Sequence, residues 1–295
     1  MKMPRWLTWT FIALLSWGIW AVLCKLLGNA LSAEQSQALS TLGMLPIFVP
    51  LLLSKNVSLR DSPRKDLFLA LMGGMVTCLG NVAYYAALGR GQKVATVVSL
   101  TALYPLVTIL LAVILLRERL NGVQMGGIAL SFVAIWMFNI QDGGGLLSPA
   151  IVYAVLPIVL WGLSGFLQKL ATNRLSAETA ALVYLSAFIP VGIFFAMRAP
   201  WPTTLTPRIW IVVLVLGFFL AFGNFAILAA FAHGGKAAVI TPLGGLYPVV
   251  SVPIAVWLLH ERVGAREIVA ILCALAAVAA LCWESAPGTN VVSDC

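Results

Sequence analysis

Residues 17–34, WGIWAVLCKLLGNALSAE, return as residues 161–178, WGLSGFLQKLATNRLSAE, and this recurrence decides how the chain is read. Trp17-Gly18, Lys25-Leu26, Asn29, Leu31-Ser32-Ala33-Glu34 and Pro46 have identical counterparts 144 positions later, at Trp161-Gly162, Lys169-Leu170, Asn173, Leu175-Ser176-Ala177-Glu178 and Pro190. After a one-residue slip the match resumes at an offset of 143. Gly80-Asn81, Gly91, Lys93, Leu103-Tyr104-Pro105, Leu115-Leu116 and Glu118-Arg119 recur as Gly223-Asn224, Gly234, Lys236, Leu246-Tyr247-Pro248, Leu258-Leu259 and Glu261-Arg262. The chain is two related halves.

Apolar residues make up 61% of the 295 residues and charged ones 9%, against about 25% charged in an ordinary soluble domain. The chain is therefore read as a polytopic membrane protein. Its net charge of +8 does not indicate a nucleic-acid partner, because the basic residues sit in short gaps between apolar runs, where they orient a membrane protein. Cys24, Cys78, Cys273 and Cys282 lie in apolar runs and Cys295 at the terminus, with no Cys-x-x-Cys and only two histidines. Neither a disulfide framework nor a metal site is supported. Lys2 and Arg5 before the first apolar run raise a signal peptide. That run extends from Trp6 to Leu27, beyond the roughly 7–15 residues of a signal core, and it recurs in the second half, so it is read as a retained helix.

A bilayer core needs roughly 20 apolar residues as helix. Ten runs qualify, near 6–27, 35–54, 67–88, 94–116, 122–140, 149–170, 178–197, 209–231, 237–259 and 266–283. The expected fold is all-α: ten transmembrane helices in two five-helix repeats, 1–140 and 149–284, joined by a glycine-containing linker at 141–148 and followed by a tail at 285–295. With the N-terminus inside, eleven of the eighteen basic residues fall on the cytoplasmic side, an asymmetry carried by the first half. Five spans is an odd number. The second repeat must then enter the membrane from the opposite face, which makes the halves an inverted pair of the kind found in many secondary transporters.

The fourth and ninth spans each place Tyr-Pro at mid-depth, eleven residues beyond Lys93 and Lys236, about 16 Å along a helix. Proline inside a helix frees the carbonyl four residues back, which points to Thr101 and Gly244. Pro105, Pro242, Pro248 and Pro253 are the expected hinges, and Pro242, Gly244-Gly245 and Pro253 predict that the ninth span is broken. Kinks satisfied by neighbouring helices are the alternative. Tyr104 and Tyr247 are read as lining a midplane site. Asn81 and Asn224 occupy matched positions in spans three and eight, where an amide serves either as interhelical glue or as part of a wet cavity. Tyr84 lies one turn from Asn81, with Tyr85 beside it. Trp17, Trp20 and Trp161 sit well inside their spans, where an indole N–H facing lipid would be unpaired, so they face protein or a cavity. Gln168, Lys169 and Lys25 lie near helix ends, where lysine ordinarily snorkels to the interface.

All ten acidic residues fall at span ends, in gaps or in the tail, so no deep carboxylate marks a proton relay. His233 and His260 are also at ends. With no nucleophile–base or paired-carboxylate constellation, an enzyme is not expected, and neither is a cofactor. Gly122, Gly126 and Gly127 in span five, and Ala270, Ala274 and Ala277 in span ten, offer small-residue faces for helix packing.

The two sets of five spans, Trp-Gly with a following Lys-Leu, Leu-Tyr-Pro in spans four and nine, and the Glu-Arg that closes both resemble the drug/metabolite transporter superfamily, specifically its ten-helix EamA type. The overall plan is similar to that of YddG-type aromatic amino-acid exporters. The resemblance covers essentially the whole chain. It implies a central cavity framed by spans one to four and six to nine, with five and ten behind, and it implies that the residues singled out in spans one, three, four, six, eight and nine line that cavity. The superfamily's small four-helix members use a membrane-embedded glutamate that this chain lacks. The expectation is a carrier of small metabolites, with amino acids as the leading class and export as the leading direction, in a bacterial inner membrane with both termini cytoplasmic. Import of a similar solute, a channel and a non-transporting scaffold or receptor remain as alternatives. The expected partners are a small-molecule substrate and the lipid bilayer.

Overall fold

The structure, a computed structural model, describes residues 4–28, 30–116, 121–139, 149–201, 204–234, 237–281 and Trp283. The expected linker and tail lie outside the described residues, as do Asn29, Glu118, Arg119 and Lys236 of the repeated motifs. The first repeat contains α1 (Arg5–Gly28), α2 (Ala33–Gly43), α3 (Leu45–Leu52), α4 (Arg64–Gly89), α5 (Val94–Thr101), α6 (Tyr104–Leu116) and α7 (Gly122–Asn139). The second contains α8 (Pro149–Thr172), α9 (Ala177–Ser186), α10 (Phe188–Arg198), α11 (Pro207–Ala232), α12 (Ala237–Gly245), α13 (Pro248–Leu258) and α14 (Ala265–Leu281). No strand occurs among the described residues.

These helices make ten passes, because α2/α3, α5/α6, α9/α10 and α12/α13 are each one pass broken in two. Seven passes are long and apolar enough to cross a bilayer by themselves; α2/α3, α7 and α14 fall short in length or in apolar character and complete the two sets of five. The breaks fall at matched places. Met44 and Ala187 interrupt the second and seventh passes shortly before Pro46 and Pro190, and Ala102-Leu103 and Leu246-Tyr247 interrupt the fourth and ninth just before Pro105 and Pro248. Proline cannot donate to the preceding turn and crowds its carbonyl, so each break sits where the ladder would otherwise need that bond. Passes two, four and seven, read as continuous spans, are therefore interrupted. Pro242 and Pro253 lie within α12 and α13 instead of at a break. The Gly244 carbonyl, expected to be free, accepts the Tyr247 N–H at 3.3 Å, because the chain tightens to a three-residue turn there.

The repeated Leu-Ser-Ala-Glu is a helix start. Ser32 accepts from the Gln35 N–H while Gln35 accepts from the Ser32 N–H, a capping box, and Ser176 accepts from the Thr179 N–H in the second repeat. Contacts at the two ends of the bundle fix the direction of the passes. On one face the Gln35 amide donates to the Pro200 carbonyl and Lys93 pairs with Glu267 at 2.6 Å. On the other, Asn56 donates to Glu178 at 3.2 Å and Asn121 to the Trp283 carbonyl at 2.7 Å. Successive passes alternate, so α1 begins at one face and α8 at the other.

The halves are joined by six close approaches that form three matched pairs. A Cβ on Gly80 would meet the Trp161 indole at 2.6 Å, and one on Gly223 would meet the Trp17 indole at 2.6 Å. Gly162 lies against the Tyr104 carbonyl and Val107, and Gly18 against the Tyr247 carbonyl and Val250. Gly74 lies on the Tyr184 carbonyl and Gly217 on the Ser40 carbonyl. Helices α7 and α14 pack on each other away from this centre. Gly127 touches Ala280 and the Ala277 carbonyl, and Ala270, Ala274 and Ala277 are buried, as the small-residue faces predict. Gly122 and Gly126 meet nothing within 4 Å and take no part in that seam.

Replacing Gly217 by Val places a branched side chain against backbone at Ser40 and Gly43, which cannot move as a side-chain tip can. We expect a loss of folded, monodisperse protein in detergent that the exposed control Gly126→Val does not show, read by size-exclusion chromatography.

Candidate functional site

A small cavity of about 60 Å³ lies where the two repeats meet. Its wall takes Trp17 and Trp20 from α1, Thr77 and Asn81 from α4, Tyr104 from α6, and Trp161, Gly165 and Gln168 from α8. Tyr184 of α9, Leu220, Asn224, Ile227 and Phe231 of α11, Thr241 of α12, and Tyr247 complete it. Three pairs of repeat mates thus face one space: Trp17 and Trp161, Asn81 and Asn224, Tyr104 and Tyr247. No Asp, Glu, Lys or Arg stands among these described lining residues.

The wall has two chemical halves. One is aromatic: Trp20 stacks on Tyr84 with ring centroids 5.0 Å apart, Tyr84 and Trp161 lie 5.4 Å apart, and Tyr104 meets Trp161 edge-on at 6.4 Å. The other is a hydrogen-bonded cluster. The Tyr184 hydroxyl donates to Thr77 at 2.6 Å, Thr77 donates to Ser164 at 2.7 Å, and Ser164 donates to the Gly73 carbonyl at 2.9 Å. The Gln168 amino group donates to both Ser164 and Tyr184, at 3.1 and 3.0 Å. These groups satisfy one another in a buried setting, which makes the cluster rigid.

Of the residues the sequence nominated, Trp17, Trp20, Asn81, Tyr104, Trp161, Gln168, Asn224 and Tyr247 are brought to the cavity. The other four stand behind it. Tyr84 is fully buried beneath Trp20 and its hydroxyl donates to the Ala21 carbonyl at 3.3 Å. Tyr85 packs on the far side of Trp20. The Thr101 hydroxyl shares a 2.7 Å hydrogen bond with the Tyr247 hydroxyl, so Thr101 positions Tyr247 and does not face the space. Gly244 lies close under Trp17 and Tyr104 without lining it. The remaining wall residues were missed, chief among them Thr77, Tyr184 and Thr241.

The two Tyr-Pro breaks tie the halves across the cavity. The Tyr104 hydroxyl donates to the Thr241 carbonyl at 3.2 Å, and the Tyr247 hydroxyl donates to the Val98 carbonyl at 3.2 Å. Each tyrosine therefore reaches the first half of the broken helix in the other repeat. At one end of the bundle Glu261, from the recurring Glu-Arg, accepts the Val94 and Ala95 N–H groups at 2.7 and 3.0 Å. A carboxylate there satisfies two orphan donors of α5. Lys25 does not reach out toward an interface; it donates to the Leu88 and Gln92 carbonyls at 3.1 and 2.8 Å, closing the end of α4.

A bundle of ten apolar passes in two inverted sets, with a cavity at their junction, is the architecture of a membrane transporter. The chain belongs to the EamA-like transporter family, whose pattern it matches twice, over residues 4–140 and 148–283. Members of that family are transporters and not enzymes, and the chain is a membrane transporter of small solutes. It is 31% identical over 100 residues to the uncharacterized protein MJ1333.1 of Methanocaldococcus jannaschii, a stretch covering 34% of this chain and 71% of that protein. A crystal structure of another protein shares the fold, with a TM-score of 0.69, 17% identity and coverage of 95% of this chain and 96% of that one.

Replacing Tyr184 by Phe removes the hydroxyl that accepts from Gln168 and donates to Thr77. We expect a stability loss of about 1–3 kcal/mol, read as a lower thermal unfolding temperature in detergent, whereas Tyr153→Phe leaves it unchanged.

Proposed function

We propose that the chain is a secondary carrier that exports small metabolites, amino acids first among them, across a bacterial inner membrane by alternating access through the central cavity. The observation that carries this reading is that the cavity lies between the repeats, framed by three pairs of repeat mates. A rocking of one half against the other exchanges the environments of those mates. The absence of charge from the described wall favours a solute of no net charge, since an ion here would lack a partner in a low-dielectric site. Aromatic faces accept an apolar body or an ammonium group. At about 60 Å³ the space is smaller than the roughly 300–1,000 Å³ of ordinary ligand sites, so binding requires the wall to open.

With five passes in each repeat, both termini lie on one side. We place that side in the cytoplasm, from the basic bias of the first half. No acidic side chain lies in the described wall, so transport is proposed to run by exchange or facilitated diffusion without a carboxylate relay. Asp66 is buried but sits in the first turn of α4, away from the cavity.

The deciding experiment is counterflow in proteoliposomes with a panel of labelled amino acids. Trans-stimulation is the expected result; conduction without it would mean a channel, and no flux of any solute would contradict a carrier. At equal folded amount, Pro105→Ala and Pro248→Ala should lower turnover by restoring a helical bond. Tyr104→Ala and Tyr247→Ala should raise the half-saturating concentration, by about fivefold or more for a lost ring contact of order 1 kcal/mol or more.

A further inference from the structure

Asn81 and Asn224 are repeat mates, yet their amides are engaged differently. Asn224 donates to the Leu220 carbonyl at 2.9 Å, so its amino group is engaged by its own helix, and its oxygen lies 3.4 Å from the Tyr184 hydroxyl. Asn81 accepts from the Trp161 indole at 3.1 Å. An indole N–H only donates, which fixes the Asn81 oxygen toward Trp161 and leaves the amino group as the free end. That amino group is buried and has no partner. Across the same wall the Thr241 hydroxyl is buried and also unpartnered, while the Thr241 carbonyl is held by Tyr104. A third unpartnered donor, the Trp20 indole N–H, is buried where Trp20 packs against Tyr84 and Tyr85.

A buried donor without a partner is costly, and two of them on the wall of one cavity, each anchored through its other polar atom, are held ready for an acceptor. We propose that the Asn81 amino group and the Thr241 hydroxyl bind a carboxylate or carbonyl oxygen of the solute, whose apolar body lies against Trp17 and Trp161, and that Asn224 takes no part in recognition. The inference rests on the carrier reading above. It specifies what the solute must carry: an acceptor beside an apolar body, and no uncompensated charge. A carboxylate qualifies when the same molecule brings its own ammonium group; a lone amine does not.

Three probes sharing a phenylethyl body separate the possibilities: phenylalanine, 3-phenylpropionamide and phenethylamine. Binding to the purified full chain is measured by thermal shift and by competition in counterflow. We expect phenylalanine and 3-phenylpropionamide to bind at least tenfold more tightly than phenethylamine. Asn81→Leu removes the donor together with the oxygen that Trp161 uses; a displaced Trp161 weakens all three probes alike, whereas the lost donor weakens only two, and Thr241→Val removes only the hydroxyl. Each should weaken the two acceptor-bearing probes by about tenfold or more relative to phenethylamine, whereas folded Asn224→Leu should leave all three within about twofold. Equal binding of phenethylamine in the parent chain, unchanged affinity in Asn81→Leu and Thr241→Val, or binding of none of the three by a chain that exchanges other solutes overturns the proposal and leaves the carrier reading standing. A chain that exchanges no solute of any kind and binds no probe contradicts both.

Discussion

Everything in this fold depends on two tryptophans laid on two glycines across the repeat interface. Trp161 rests on Gly80 and Trp17 on Gly223, close enough that any Cβ at either glycine would overlap the indole. In hydrocarbon, helices gain little from excluding water, and their association relies on close packing and interhelical hydrogen bonds. The two indoles supply the packing, and Trp161 adds a bond to Asn81. The glycines that follow them, Gly18 and Gly162, let the broken helices of the opposite repeat come into backbone contact at Tyr247 and Tyr104. One dipeptide thus sets how α1 meets α11 and α13, and its copy sets how α8 meets α4 and α6. The cavity is the space these contacts leave.

The inverted repeat makes a symmetric frame, and the chemistry inside it is asymmetric. Tyr184, Thr77, Ser164 and Gln168 form the bonded cluster; their mates in the other half are Ser40, Leu220, Trp20 and Cys24, which cannot form the same network. One side of the wall is therefore polar and internally satisfied, and the other is aromatic. A symmetric frame suits exchange between two facing states. An asymmetric lining would give a solute a preferred orientation, in keeping with the unequal roles proposed for the two asparagines.

Much of this was legible from residue identities. The repeat, the number of passes and their alternation follow from matched motifs and an odd span count, and Tyr104, Tyr247, Trp17, Trp161, Asn81 and Asn224 were found because they recur. What was missed did not recur. Thr77, Tyr184 and Thr241 stand where one repeat carries a polar group and the other Leu220, Ser40 or Val98, so a search for identities passes over them; a search for polar–apolar mismatches within the matched frame would have found Thr77 and Thr241. Tyr84, Tyr85 and Thr101 were placed on the wall because helical spacing gives a face but not what stands in front of it. The extra breaks at Met44 and Ala187 come from Pro46 and Pro190, whose effect on the helix was legible but whose recurrence was used only to align the halves. The contact between Glu261 and α5 joins residues 167 positions apart, a distance over which no local pattern speaks.

In the transport proposed for this chain, the space between the repeats is the solute's path. Thiol accessibility tests it most directly: in a chain whose native cysteines are replaced by Ser or Ala, Ile227→Cys reports on the cavity wall and Leu214→Cys on the outer surface of the same helix. A membrane-impermeant, water-soluble thiol reagent should modify Cys at 227 in membranes, a transported solute should slow that modification, and Cys at 214 should resist it under all conditions. A position 227 that never reacts, or that reacts at a rate no transported solute changes, would contradict the claim.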